Sequence, residues 1–226
     1  MVELLSNIKI SVNENTFLKD PESSQLGKRI VEKSIELIDG LGFEDFTFKK
    51  LGLEINSPEA SVYRYFESKH KLLLYLTSWY WAWMEYHLVF TLANIHSPEE
   101  RLKKAIHLIT HQVKNDNNVL HIDEAALHRI VVAESSKVYL TKMVDEENQH
   151  GEFSGYKKLV TRVGRIILEI NPAFKYPNML VSTIIEGAHN QRYFANHIPG
   201  LTDIIKGEDS ITNFYNNLVF KTIKAS

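Results

Sequence analysis

Apolar residues recur at three- and four-residue spacing along most of this chain, and no stretch alternates apolar with polar as a half-buried strand would. Over residues 26–41 the positions Leu26, Ile30, Ile35, Leu37, Ile38 and Leu41 form one such face, with Lys28, Arg29, Glu32, Lys33 and Glu36 opposite. That is an amphipathic helix. Gly42 stands where a C-terminal cap belongs, and Phe43 follows as its apolar anchor. A second apolar run (Phe48, Leu51, Leu53, Ile55) breaks at Asn56-Ser57-Pro58, and a third short helix carries Val62, Tyr63 and Phe66. Thr47 can cap the first of these two helices, and Asn56 tolerates the left-handed conformation that ends it. Ser57 before Pro58 reads as an N-cap with proline at the first helical position. Two short helices joined so tightly make a helix-turn-helix, whose second member is the one offered to the major groove.

The rest of the pattern is also helical. Residues 72–93 hold all three tryptophans, at 79, 81 and 83, and have only Glu85 and His87 as ionisable interruptions besides their tyrosines. That length is enough to span a bilayer. Glu85 is costly in hydrocarbon, and the tryptophans sit in mid-segment rather than at its edges. The expectation is therefore a long helix apolar on most sides and buried in a second domain, not a membrane span. Ser97 caps a helix from Pro98 that carries Leu102, Ala105, Ile106, Ile109 and Val113 and closes near residues 115–118. Further helices are expected over 123–134, 136–148, 154–169, 177–196 and 211–223. The fold class is all-α.

Composition narrows the function. A chain of 226 residues, 44% hydrophobic and 24% charged, has ample material for a core. It contains no cysteine, which excludes disulfides, thiolate metal sites and thiol nucleophiles. The formal net charge of −2 gives no global attraction to nucleic acid. Residues 24–71 carry eight bases against eight acids. Any DNA affinity there must come from segregation, with Lys49, Lys50, Arg64 and Lys69 gathered at the turn and helix ends. Residues 1–23 lack a basic stretch followed by an apolar core, so they are expected to be a partly ordered arm and not a secretion signal.

The segment IVEKSIELIDGLGF from Ile30 to Phe43, then Thr47, then Val62-Tyr63-Arg64-Tyr65-Phe66 with Lys69 three residues on, resembles the N-terminal domain of the TetR family of bacterial transcriptional regulators. The resemblance covers roughly residues 24–75. It implies an arm (1–23), a three-helix helix-turn-helix DNA-binding domain (24–71) and a helical ligand-binding and dimerisation domain (72–226). It further implies a cytoplasmic homodimer without cofactor, a repressor in its expected sense, bound to a palindromic double-stranded operator and released by a small effector. Thr47, Tyr63, Tyr65 and Lys69 are then expected at phosphates, and Lys49, Lys50, Ser57, Glu59, Ala60, Ser61 and Arg64 near the groove. Two positions depart from the family pattern. Asn56 replaces the turn glycine, and Pro58-Glu59-Ala60 stands where Ser-Lys/Arg-Gly is common. Glu59 either reads cytosine N4 or weakens DNA binding.

In the second domain the aromatic half of the long helix is core or pocket wall. Trp79, Trp83, Tyr86, His87 and Phe90, with His107, His111, His128 and His189, are the candidate lining for an apolar or aromatic effector. His107 and His111 lie one helical turn apart, but no His-Glu-x-x-His pattern or third ligand completes a metal site. Leu159, Val163 and Ile167 from one helix, with Ile184, Gly187, Ala188, Gln191 and Phe194 from the next, form either a four-helix dimer interface or a buried intrachain pair. No nucleophile elbow and no phosphate-binding glycine loop is present, so an enzyme is not expected. The rival to a regulator is a protein of the same fold that binds lipid or another small molecule and has lost specific DNA binding.

Overall fold

A computed structural model of the chain describes residues 10–114 and 121–224. Among the described residues there are eleven α-helices and no strand. They are α1 (Gln25–Leu41), α2 (Phe48–Glu54), α3 (Glu59–Tyr63), α4 (Lys69–Leu92), α5 (Pro98–Thr110), α6 (Glu124–Glu134), α7 (Ser136–Tyr139), α8 (Val144–Gln149), α9 (Ser154–Ile170), α10 (Pro177–His197) and α11 (Ser210–Lys224). The expected stop at 115–118 and the first nine residues of the arm lie outside the described residues.

The chain forms two compact units, Met1–Ala82 with Val113–Gly155, and Trp83–Gln112 with Tyr156–Ser226. These do not coincide with the functional division expected at residue 71. The first unit takes in the start of α4 and all of α6 to α8.

In the first unit, the caps that the sequence advertises are made. Ser24 Oγ accepts the Gly27 amide and starts α1; Gly42, at φ 81°, ends it. Thr47 Oγ1 accepts the Lys50 amide and starts α2, while Asn56 adopts φ 49° after α2. One expectation fails locally: α3 starts at Glu59, with Pro58 at the N-cap and no side-chain cap hydrogen bond, so Ser57 does not cap it. Ile30, Val31, Ile35, Phe46, Leu51, Val62 and Phe66 bury the interior of this head. Apolar burial of this kind is the main favourable term in its stability.

The arm is more ordered than expected over its described part. Leu18 donates its amide to the Tyr65 carbonyl at 2.7 Å, the Phe17 ring meets the Tyr75 ring edge-on at 6.0 Å, and Glu22 reaches His121 at 2.7 Å. The expected single helix over 136–148 is instead α7 and α8, with Leu140 between them 84% exposed. Residues 72–81 of α4 are buried all round, as a helix without a polar face should be. No helix among the described residues is long and apolar enough to cross a membrane.

In the second unit α10 packs on α5 and α11, and α11 packs on α5. Arg192 of α10 joins these helices, donating to the Thr110 carbonyl at 2.7 and 3.0 Å and to Asp209 at 2.6 and 2.9 Å. Gly187 lets α11 approach, because a Cβ there would collide with the Tyr215 hydroxyl.

Candidate functional site

The helix-turn-helix is tied into its unit from several sides. Arg129 of α6 grips Asp39 of α1 with two hydrogen bonds, at 2.9 and 2.7 Å. Glu134 accepts the Phe43 amide at 3.1 Å and also holds Lys137, which reaches Glu44 at 3.3 Å. At the start of α4, His70 meets the buried Glu147 at 2.7 Å and Lys71 meets the buried Glu152 at 3.1 Å. Burial raises the Glu152 carboxyl above the ordinary range, and Lys71 partly offsets that. Sequence reading did not find this acidic pair, because nothing in the local pattern marks Glu147 or Glu152 as inward-facing.

The residues expected at DNA divide into an outward set and one engaged within the protein. Thr47, Lys49, Lys50, Ala60, Tyr63 and Arg64 are exposed, and Ser57, Glu59 and Ser61 are half-buried on the same turn and helix. Tyr63 is 48% exposed and lies edge-on to Phe48 at 4.9 Å, which fixes its ring. Lys50 Nζ donates to the Asp45 carbonyl at 2.7 Å.

Two expected phosphate contacts are engaged within the protein. Tyr65 is only 3% exposed, and its hydroxyl lies 2.8 Å from Ser24 Oγ. That hydrogen bond, with Lys19 beside the ring, holds the phenol below its usual pKa. Lys69 Nζ donates to the carbonyls of Phe43 and Glu44, each at 3.1 Å, and lies 4.7 Å from the centre of the Phe43 ring. A buried phenol and a lysine committed to backbone carbonyls are poor phosphate ligands. Tyr65 instead ties the helix-turn-helix to the start of α1, and Lys69 ties the loop after α1 to the start of α4.

A shallow cavity of about 380 Å³ opens at the turn, lined by Lys49, Gly52, Leu53, Asn56, Ser57, Pro58 and Glu59. Leu53, which the sequence pattern groups with the apolar run of α2, is 72% exposed there. An apolar run gives no sign that its third member faces solvent.

The expected effector lining falls in both units. Trp79 and His128 are buried in the first, where His128 Nδ1 lies 2.8 Å from the Tyr80 hydroxyl. In the second, Trp83 packs on His87 at 4.5 Å and Tyr86 on Phe90 at 4.4 Å between ring centres. Phe90 and His107 are exposed, so neither lines an enclosed cavity. The His107 and His111 rings stack at 5.2 Å, and among the described residues no group of three potential ligands surrounds a metal position. His189 is buried, and desolvation pushes its pKa down to about 4, which leaves it neutral at physiological pH.

The expected dimer face is corrected. Leu159, Val163, Ile167, Ile184 and Ala188 are all buried within the single chain, and Gly187 faces Tyr215 of that chain. Gln191 and Phe194 are half-buried. The apolar stripe fills the unit's own core, which is the intrachain alternative.

No protein-family model and no curated protein matches the sequence. Among solved structures the chain is similar to a protein from Saccharomonospora viridis, provisionally assigned as a transcriptional regulator and crystallised with choline. Identity is 18%, coverage 87% of this chain and 94% of that one, and the TM-score 0.57. It is also similar to the ketosteroid transcriptional regulator KstR2 of Mycobacterium tuberculosis, at 12% identity, with 89% and 94% covered and a TM-score of 0.53. Identities this low speak to the fold alone: the chain shares the all-helical fold of these two proteins.

Proposed function

We propose that this chain is a dimeric, ligand-responsive transcriptional regulator whose helix-turn-helix binds a palindromic operator. The observation that carries the reading is the outward face of α2 and α3. Lys49, Ala60, Tyr63 and Arg64 are presented to solvent around a turn whose backbone Gly52 and Asn56 hold tight. In a head of balanced charge this puts cations and hydroxyls on one side. Thr47 Oγ1 accepts the Lys50 amide and keeps its own hydrogen for a phosphate. Lys49, Arg64 and the Tyr63 hydroxyl supply the other phosphate contacts, which position the head without reading sequence. Glu59, at the start of α3, is the candidate acceptor for cytosine N4.

The effector is assigned to the second unit, where Tyr86, His87 and Phe90 leave ring surface open beside the buried Trp83. Apolar and aromatic compounds suit such faces, and so do alkylammonium ions. The choline bound by the Saccharomonospora neighbour makes the last group worth testing here. An effector that prefers one spacing of two heads lowers operator affinity by the factor by which DNA lowers effector affinity. The self-association face is assigned to outward apolar residues, Met179 on α10 with Phe214 and Leu218 on α11. A DNA-bound role places the protein in the cytoplasm.

The test is fluorescence anisotropy of the purified chain on duplex DNA from upstream of its own gene, at several salt concentrations. Wild type is expected to bind with a steep salt dependence. Arg64→Ala is expected to bind about tenfold more weakly, with the log–log salt slope reduced by about 1. Wild-type affinity no better than for random DNA would remove the regulator reading and leave the small-molecule binder.

A further inference from the structure

The outward face of α9 carries cations that operator binding does not use. Lys158, Arg162 and Arg165 line a surface groove of about 580 Å³ together with Lys157 and Arg101 of α5. Arg162 grips Glu85 at 2.9 and 2.6 Å, and Arg101 pairs with Glu169. Lys158 and Arg165 are exposed, and neither has an ion-pair partner among the described residues. In a chain of net charge −2 this is a concentrated positive spot.

The floor of the same groove is apolar. Val89 and Leu92, from the end of α4, and Ile95 just beyond it leave part of their surface open there, above the buried Ile166. A surface built only to track phosphates has no use for that floor, and a site for a neutral apolar compound has no use for the rim. The volume falls within the range of small-molecule sites.

We propose that this groove binds a soluble amphipathic anion, a single aliphatic chain ending in a carboxylate or phosphate. The head group lies between Lys158 and Arg165, whose guanidinium fork matches either oxyanion. The chain lies along Val89, Leu92 and Ile95, displacing water from surface that is otherwise exposed. The site lies wholly on the second unit. It therefore does not depend on whether the head binds DNA.

The experiment is calorimetric titration of the full chain with decyl phosphate below its micellar concentration, beside inorganic phosphate and 1-decanol. The same titrations are run on the Lys158→Glu/Arg165→Glu double variant and on Val89→Asp. All three positions are exposed, so the variants retain the fold. Decyl phosphate is expected to saturate wild type, with each variant at least tenfold weaker and both control compounds at least tenfold weaker on wild type. Equal affinity in wild type and the charge-reversed variant would place the amphiphile elsewhere and overturn the proposal. So would 1-decanol binding as tightly as decyl phosphate, which marks an apolar pocket, or inorganic phosphate doing so, which marks a simple anion site. If charge reversal weakens duplex DNA binding and leaves decyl phosphate untouched, the face is a nucleic-acid surface and the amphiphile site is likewise overturned.

Discussion

At Tyr65 and Lys69 the sequence most easily matched to a DNA-binding head is committed to partners within the head, Tyr65 buried and Lys69 half-exposed. The Tyr65 hydroxyl completes the start of α1 through Ser24, and the Lys69 ammonium gathers the carbonyls of residues 43 and 44. Both joints hold the head's helices in register, and the proposed DNA contacts are their exposed neighbours Tyr63 and Arg64. His189 shows the same inward logic in the second unit. Its folded pKa of about 4 lies below the ordinary 6.5, so between those values the unfolded chain binds a proton that the folded chain refuses. Stability is therefore fully present above about pH 6.5 and falls as pH drops toward 4, by about 3 kcal/mol from this group. Urea unfolding of wild type and His189→Leu across that window checks the sign. The variant is expected to lose this component of the acid slope, and an unchanged slope would assign it to other groups.

The helices themselves follow from signals local enough to survive translation from sequence to structure. Ser97, Asp123 and Thr47 each accept a backbone amide at the start of the helix they were expected to cap, or in the case of Asp123 to open. Asn56 takes the left-handed conformation its side chain tolerates. Gly52 is the least replaceable element of the turn, because a Cβ there would lie 2.8 Å from the Ser57 carbonyl oxygen and 3.2 Å from the Glu59 nitrogen. Gly52→Val is expected to lower stability by about 2 kcal/mol by forcing α2 and α3 apart, and to weaken DNA binding with it. Gly40→Ala meets nothing within 4 Å and is expected to stabilise α1 by about 0.5–1 kcal/mol. Paired thermal melts separate the two, and similar shifts would mean that the turn yields. What was not legible depends on partners far away in the chain. Periodicity identifies Leu159 and Val163 as a stripe on α9 and Ile184 and Ala188 as one on α10, but a stripe does not say whether its own chain or a second copy covers it. The break at Leu140, the inward Glu147 and the outward Leu53 have the same origin, since burial there is decided by tertiary neighbours that no local pattern names.

For the whole molecule, the proposed regulator needs two heads set about one DNA turn apart, so its function rests on self-association. Five of the eight residues that periodicity offered for that face are buried, so the face is assigned to outward apolar side chains of two helices that pack on one another, α10 and α11. Phe214 is the largest of them on α11, and the outward face of α9 is an unfavourable alternative. A two-fold contact there would bring Lys158 and Arg165 against their own copies, and like charges desolvated together are costly. Phe214→Asp places a charge in the proposed contact without disturbing the core, because the side chain is already exposed. Sedimentation is expected to move from dimer to monomer. Affinity for a full palindrome is then expected to fall about 100-fold or more, toward that of a half-site, because the second head loses its effective concentration. The thermal midpoint at low protein concentration should hardly change. A variant that stays dimeric excludes α11 from the interface, and a wild type that is monomeric yet binds the palindrome tightly overturns the dimeric reading itself.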